Sequence, residues 1–217
     1  MAHTDDAKAK VASMGGKVAY LIALDIEHHI FLSEWKAAYP DAILVGPKGL
    51  PEKRAKQLSD PMVSDDKFGV IFSKDNKRDT KISDEFDADF EYEFVDGHTN
   101  LELVFFYKPE KVLIQADLLF NLPATEQYSR VPEAERQEKG VLAKLFTNIQ
   151  STEGDVKWMQ RFNWYLAGKD RSSYNDSLGK VEQWDFKTII PCHGDVIEGN
   201  GKEVFHKVFD WHLNGKK

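Results

Sequence analysis

The order of apolar and polar positions predicts strands and helices that alternate through the first part of the chain. Residues 18–24 are a continuous apolar run of strand length, as expected for a strand covered on both faces. Residues 31–39 have helical spacing and stop before a proline, 42–45 form a second short apolar run, and 51–58 predict a short basic helix. The sequence therefore predicts a β-α-β-α order from residue 18 onward.

The middle of the chain changes to strand patterns, and helical spacing returns after it. Strands are predicted over residues 68–72, 90–95, 101–107 and 111–116, and we expect them to form a meander. The segment 74–89 is dense in charges of both signs, which predicts a solvated loop or hairpin. The remaining predictions are helices over 134–149, 156–166 and 174–184, a strand over 187–190 and a closing helix over 202–213. Together these elements predict an α/β layered domain with a mixed sheet.

The composition is that of an ordinary folded domain. Of 217 residues, 41% are hydrophobic and 30% are charged, which predicts one domain over residues 1–217. The 29 basic and 36 acidic residues give a formal charge of −7, which disfavours a nucleic-acid partner. No apolar run approaches the roughly 20 residues that cross a bilayer, and no signal peptide is evident, so we expect a cytoplasmic protein without a membrane partner. Cys192 is the only cysteine, which agrees with a reducing compartment.

Candidate metal ligands fall where predicted strands end. Four of the seven histidines come directly after a predicted strand or in the loop beyond it, namely His28, His29, His98 and His193, and Asp117 ends a strand in the same way. Imidazole is the commonest transition-metal ligand, and ligands of open sheets collect at the carboxyl ends of strands. A carboxylate at the end of an apolar strand is costly unless it is paired, exposed or bound to a cation. Together these five positions predict a metal site.

At these residues the sequence resembles the metallo-β-lactamase superfamily in three places. Asp-Gly-His-Thr-Asn at 96–100 resembles the family's P-G-H-T-P-G turn, whose histidine binds metal. Lys-Val-Leu-Ile-Gln-Ala-Asp-Leu-Leu-Phe at 111–120 resembles the strand that ends in G-D-x-L-F, whose aspartate bridges two metals. Thr-Ile-Ile-Pro-Cys-His-Gly-Asp at 188–195 resembles the late P-G-H-G loop, whose histidine completes the second metal site. The motifs come in the family's order and with its spacing, and the similarity covers the chain from about residue 17 to its end.

The first metal-binding motif departs from the family pattern. In the family it reads H-x-H-x-D-H after a buried strand, and the best match here is Leu-Asp-Ile-Glu-His-His at 24–29. In this register Leu24 and Ile26 replace the first two histidines. His28 then replaces the aspartate, and His29 keeps the place of the last histidine.

A second register places Asp25 and Glu27 at the first two positions and His29 at the aspartate. We prefer the first register, because the strand over 18–24 then ends normally and the next isoleucine matches the family. The form Glu-His-His-Ile-Phe-Leu, with Ala-Asp-Leu-Leu-Phe-Asn-Leu-Pro later in the chain, is similar to a divergent, mainly fungal subgroup of metallo-β-lactamase-like proteins of unassigned function.

The resemblance implies a ligand set and a cofactor. In the preferred register the second metal site keeps His29, Asp117 and His193, with His28 as a fourth ligand, whereas the first keeps only His98 and Asp117. We therefore expect one metal per chain rather than two. Nitrogen-rich ligation suits zinc, with iron and manganese as alternatives.

The resemblance also implies hydrolysis. A metal held by imidazoles and a carboxylate activates water, and members of the family hydrolyse esters, thioesters, lactams or phosphoesters. We expect a metal-dependent hydrolase of a small-molecule ester, thioester, lactone or lactam, with His28 and Asp117 as catalytic residues and Asp25 as an alternative base. The alternative is a catalytically degenerate scaffold with a binding or assembly role, because the first motif is damaged. A nuclease of the same superfamily is disfavoured by the net acidity.

The implied fold is a four-layer αββα sandwich with mixed sheets that lacks its first N-terminal strands. The family fold has several strands before the one that carries the first motif, whereas only a short helical stretch precedes residue 18 here. Either the sheet is trimmed or the chain is a shortened version of a longer relative. We expect a dimer or larger homo-oligomer, in which a partner copy covers the apolar surface left by the missing strands. The segment 121–150, directly after Asp117, is either a lid over the site or a helix packed on the sheet.

Overall fold

A computed structural model describes residues 1–132, 135 and 140–215. The chain forms two β-sheets that pack face to face, with helices on the outer face of each. The strands are β1 (Tyr20–Ile22), β2 (Ile43–Pro47), β3 (Val70–Phe72), β4 (Phe90–Val95), β5 (Glu102–Tyr107), β6 (Val112–Ile114) and β7 (Thr188–Ile190). The helices are α1 (Asp5–Ser13), α2 (Leu32–Ala38), α3 (Leu50–Ala55), α4 (Asp84–Asp89), α5 (Val141–Ile149), α6 (Lys157–Phe162), α7 (Arg171–Val181) and α8 (Gly201–Leu213), and a π-helical turn (Asn163–Ala167) continues α6.

The first sheet has the order β1-β2-β3, and its neighbouring strands are parallel. In this register Val45 of β2 pairs with Val70 of β3. Parallel neighbours need a crossover connection, which contains α2 between β1 and β2 and α3 between β2 and β3. Leu32 of α2 and Leu50 of α3 share a hydrophobic cluster with Leu44 of β2, so both helices cover the outer face of this sheet.

The second sheet has the order β4-β5-β6-β7, antiparallel except for the parallel pair of β6 and β7. Side chains alternate along β5, as the pleat of a strand requires. Leu103 and Phe105 join the cluster that faces the first sheet, and Val104 and Phe106 join the cluster that faces α6, α7 and α8.

Three hydrophobic clusters therefore separate four layers: α2 with α3, the first sheet, the second sheet, and the helices α6, α7 and α8. This arrangement is the αββα sandwich with sheets of mixed orientation that the motifs implied. The prediction of the fold class is confirmed.

Two expectations about the middle of the chain are wrong. The strand expected to begin the meander is β3, which pairs parallel with β2 in the other sheet, because distant packing rather than local pattern selects strand partners. The charged segment 74–89 is not simply solvated, since α4 occupies its end and Lys77 is only 11% exposed. The Lys77 ammonium lies 2.7 Å from Asp96 Oδ1 and 3.4 Å from Glu93 Oε1. Part of this segment's charge therefore compensates buried carboxylates.

The strand β1 lies at one edge of the first sheet and, within the described residues, pairs with β2 alone. All three of its residues are only partly buried. The prediction of a longer strand covered on both faces is therefore wrong for this element.

The helices differ from their predictions mainly at the ends. Of the helix predicted over 134–149, the structure shows α5 from residue 141, and residues 134 and 136–139 lie outside the described ones. The helix predicted over 174–184 begins and ends three residues earlier, as α7. Within the described ranges, no helix has the length and apolar character needed to span a membrane.

Candidate metal centre

Polar side chains collect beyond the carboxyl ends of three strands. His28 lies in the loop after β1, Asp117 in the loop after β6, and Cys192 and His193 in the loop after β7. Because β6 and β7 are parallel neighbours, the loops that carry Asp117 and His193 meet at the same end of the second sheet. His28 reaches this place from the facing sheet.

The ligand atoms of this group are spaced as the ligands of one metal ion would be. His28 Nε2 is 3.1 Å from His193 Nε2, and Asp117 Oδ1 is 3.3 Å from His193 Nε2 and 3.9 Å from His28 Nε2. One ligand atom each of His28, Cys192 and His193 lies within 4.8 Å of the others. Ligands on a tetrahedral zinc ion with bonds of about 2.0–2.3 Å are about 3.3–3.8 Å apart. The spacing therefore suits a single cation.

One carboxylate oxygen of Asp117 accepts a hydrogen bond, and the other faces the group. Asn100 Nδ2 donates to Asp117 Oδ2 at 2.7 Å. Within the described part of the chain, the buried Oδ1 has no hydrogen-bond partner. The fully buried Glu102 accepts the backbone N–H groups of Ala116 and Asp117 at 2.8 and 2.9 Å, which fixes the loop. Burial raises the pKa of Glu102 well above its usual value, although these hydrogen bonds oppose the shift.

Asp25 orients His28 from behind. Its Oδ1 accepts the backbone N–H groups of Glu27 and His28 at 2.8 and 2.7 Å, which shapes the loop, and its Oδ2 lies 2.8 Å from His28 Nδ1. Because the carboxylate can only accept, His28 Nδ1 donates and Nε2 faces the group. The hydrogen bonds of Asp25 and then Cys192 raise the pKa of His28 to about 11. Burial alone would raise the pKa of Asp25, but its hydrogen bonds with His28 hold it below the usual value.

The loop that carries His193 is joined to the loop that follows Asp117. Asn121 donates its backbone N–H to the carbonyl of His193, and Asp195 donates its own to the carbonyl of Asn121, each at 3.0 Å. Gly194, at φ +108°, makes this approach possible, since a Cβ at this position would lie 2.0 Å from the Asn121 oxygen. The two loops therefore form one connected unit.

Two of the histidines that the sequence singled out are not in the group. His29 is buried, its Nδ1 lies 3.4 Å from Arg54 Nη1, and its backbone oxygen accepts from the same guanidinium at 3.0 Å. Burial and then the Arg54 charge lower the pKa of His29. His98 and Asp117 both line a cavity of about 160 Å³. The His98 ring stacks on Tyr174 with ring centroids 6.0 Å apart. Burial lowers the pKa of His98 to about 4.

Cys192 is the member of the group that the sequence did not identify as a ligand. A lone cysteine has no partner along the chain, so its pattern says nothing about metal binding. The signal that could have found it is its place directly before His193, beyond the end of a predicted strand. Thiolate is a strong ligand for zinc, and Cys192 is exposed enough to reach an ion.

The donor set fits a divalent cation. Asp117 Oδ1 is buried without a hydrogen bond to any described residue, yet it faces two imidazole nitrogens. The fully buried Asp25 also has a carboxylate oxygen within 4.8 Å of the ligand atoms of His28 and Asp117. Two carboxylates this close repel each other unless a positive charge compensates them. Protonated His28 supplies that charge in the structure, and a cation held by His28, Asp117 and His193, with Cys192 as a further ligand, would replace it.

The fold matches that of solved metallo-β-lactamases. A metallo-β-lactamase from Pontibacter korlensis superposes with a TM-score of 0.51 and 12% identity over 97% of this chain and 77% of that one. One from Hirschia baltica gives 0.52 and 8%, over 95% and 74%. A metal-soaked flavodiiron core from Synechocystis gives 0.59 and 14%, over 93% of this chain and 46% of that one. Neither a family model nor a curated protein matches the sequence. The chain has the metallo-β-lactamase fold, as its motifs indicated.

Proposed function

We propose that the protein is a metal-dependent hydrolase of a small-molecule ester, thioester, lactone or lactam. The observation that carries the proposal is that the imidazoles of His28 and His193 lie beside Asp117 Oδ1, a buried oxygen with no hydrogen bond to any described residue. A divalent cation bound there lowers the pKa of water and polarises a carbonyl oxygen. Two imidazoles, a carboxylate and a nearby thiol suit zinc, and iron and manganese are the alternatives that metal analysis would distinguish.

The chain's own residues prepare the site for this reaction. Asn100 binds one oxygen of Asp117 and leaves the other for the cation. Asp25 fixes the Nδ1–H tautomer of His28, so the lone pair of Nε2 is directed into the group. A carboxylate oxygen of Asp25 lies within 4.8 Å of ligand atoms of His28 and Asp117, so Asp25 also offers a buried acceptor for a proton lost by water at the site.

The test is turnover of a panel of esters, thioesters, lactones and lactams by zinc-loaded protein and by Asp117→Asn. This substitution removes a negative charge without changing size, so we expect turnover to fall at least about tenfold, or about 1.4 kcal/mol. His206→Ala is the matched control, because His206 is exposed on α8 and bonds to Glu182. Activity that is indifferent to Asp117→Asn would contradict the assignment of the site.

The second candidate function is a scaffold without catalysis. It is favoured by the first motif, where Leu24 and Ile26 stand at ligand positions and pack into hydrophobic clusters. A metal-loaded protein that is inert across the whole panel would favour this function over the hydrolase.

A further inference from the structure

An apolar groove of about 550 Å³ is lined by β1, which within the described ranges pairs with β2 alone; we call it the edge groove. Its walls come from β1, the loop after it and α2, and include Val18, Leu21, Ile22, Ile30, Phe31 and Trp35. The volume lies within the range of about 300–1,000 Å³ that is typical of small-molecule pockets. Pockets of this size with mainly aliphatic and aromatic walls bind molecules that present apolar surface.

The edge groove opens onto the candidate metal centre. His28 and Cys192 line the groove and are also members of the metal-ligand group. A molecule lying in the groove therefore contacts residues that would hold the cation.

Few charged side chains line the edge groove. None of the described residues that line it is lysine or arginine. Glu27 lies on the rim, and its carboxylate is compensated by Lys53, whose Nζ is 2.7 Å away. Apart from His28 and His29, none of the described side chains that line the groove can carry a positive charge, so an apolar group can lie along most of it without burying an unpaired cation.

The shape of the edge groove favours a flexible chain over a peptide strand. β1 has only three residues, Tyr20–Ile22, so its free edge offers few backbone groups to an added strand. Much of the wall comes instead from side chains of the following loop and α2, which make the groove concave.

We propose that the edge groove binds the apolar acyl chain of the substrate and that the substrate class is a medium-chain acyl ester, thioester or lactone. The proposal rests on the proposed hydrolase function for its catalytic half. Its binding half stands on the groove alone and can be measured without a metal.

The binding experiment uses metal-free protein and the neutral fluorescent probe N-phenyl-1-naphthylamine, displaced by 2-decanone, an unreactive ketone analogue of a medium-chain ester. We expect 2-decanone to displace the probe and 2-butanone not to do so at the same concentration. Ile30→Glu should weaken 2-decanone binding at least about tenfold, because it places a charge at the groove wall. Ile30 is 49% exposed, so the fold should tolerate the change. The matched control is Ile71→Glu on β3, since Ile71 is 40% exposed and lies outside the edge groove.

The kinetic experiment measures KM for p-nitrophenyl esters from propionate to octanoate with zinc-loaded protein. A buried CH₂ contributes about 0.8 kcal/mol, so KM should fall about threefold to fourfold per added methylene, and Ile30→Glu should flatten this series. Ketone binding without turnover would retain the groove and contradict the hydrolase. Turnover without chain-length dependence, together with no ketone binding, would contradict the groove and retain the hydrolase. Probe displacement by an extended peptide or by a second copy of the chain, but not by 2-decanone, would overturn the acyl assignment.

Discussion

The two sides of Asp117 have opposite characters. On one side the imidazole nitrogens of His28 and His193 lie 3.9 and 3.3 Å from the carboxylate, Cys192 lies within 4.8 Å of both imidazoles, and His193 remains 42% exposed. On the other side His98 is 3% exposed and packed on Tyr174. Both sides are built from loops at strand ends, so the same position can hold either an exposed side chain or a packed ring.

The difference shows what burial does to a histidine. Burial lowers the pKa of His98 even though the nearby carboxylates of Asp117 and Asp25 oppose this shift, so its imidazole is a neutral ring packed on Tyr174. An imidazole backed by a carboxylate keeps its proton and its orientation, as His28 does through Asp25. The apolar residues Leu24 and Ile26, which precede His28, pack against hydrophobic clusters and offer no ligand atom.

The largest expected effect separates the two sides directly. His193→Ala should weaken zinc binding at least about 100-fold, because loss of a ligand should cost no less than loss of an outer-sphere partner. His98→Ala should leave the metal content at one equivalent per chain and lower the free energy of unfolding by about 1–3 kcal/mol through lost packing. Metal analysis after dialysis, with urea unfolding, checks both. Two retained equivalents in the wild type, one of them lost in His98→Ala, would show that the contrast is wrong.

The next effect concerns pH. The pKa of His28 is raised to about 11, so the metal-free protein keeps this proton at neutral pH, and a cation must displace it. Zinc affinity should therefore rise about tenfold per unit from about pH 6 to about pH 8, with one proton released through His28. The Asp25–His28 pair should stabilise the metal-free fold fully below the unfolded pKa near 6.5, and this stabilisation is lost as the pH rises through 11. Calorimetry in buffers of different ionisation enthalpy measures the release, and Asp25→Asn should reduce the pH slope.

A smaller effect tests Cys192. Cobalt-loaded protein should show a sulfur-to-cobalt charge-transfer band in the near ultraviolet, and Cys192→Ser should lose that band. Metal affinity should fall by about tenfold, less than in His193→Ala, because the serine oxygen keeps a weak donor at this position whereas alanine at 193 leaves none. His206→Ala should keep the band unchanged. A wild-type cobalt spectrum without the band would place the thiol outside the coordination sphere.

The smallest expected effect on the metal comes from His29. Its ring faces Arg54 rather than the group, so His29→Ala should leave zinc affinity as it is. It should lower the free energy of unfolding by about 1–3 kcal/mol, because a buried contact of the guanidinium is removed. Zinc titration and urea unfolding of the same sample check the two halves. Lost zinc binding would instead restore His29 as a ligand.

Local pattern was sufficient for most of the fold. The strand predicted over 90–95 is β4 with the same ends, because turns and alternation define it locally. The sheet to which β3 belongs could not be predicted from local pattern. Its observed partner β2 and the strands of the expected meander are all apolar, and only the packing of the two sheets distinguishes them. Lys77 is a similar case, because its buried partners come from a later strand and the turn after it.

The sequence predicted the location of the site better than it predicted which residues form the group. Asp117 and His193 follow from their motifs, and the structure brings them together. Which of two adjacent histidines turns inward is decided by the Asp25 carboxylate, which binds the backbone of Glu27 and His28 and so sets the direction of the next side chains. The sequence alone does not show this loop conformation, so it could not predict which of the two histidines points into the group.

The link between Asn121 and the His193 loop has a consequence for local opening. Hydrogen bonds run in both directions between the two loops, and Gly194 holds them at close range. The amides of Asn121 and Asp195 should therefore exchange with deuterium at similar, slow rates, as parts of one cooperative unit. Release of either loop would free the other, so a molecule that opens the segment after Asp117 would also loosen His193.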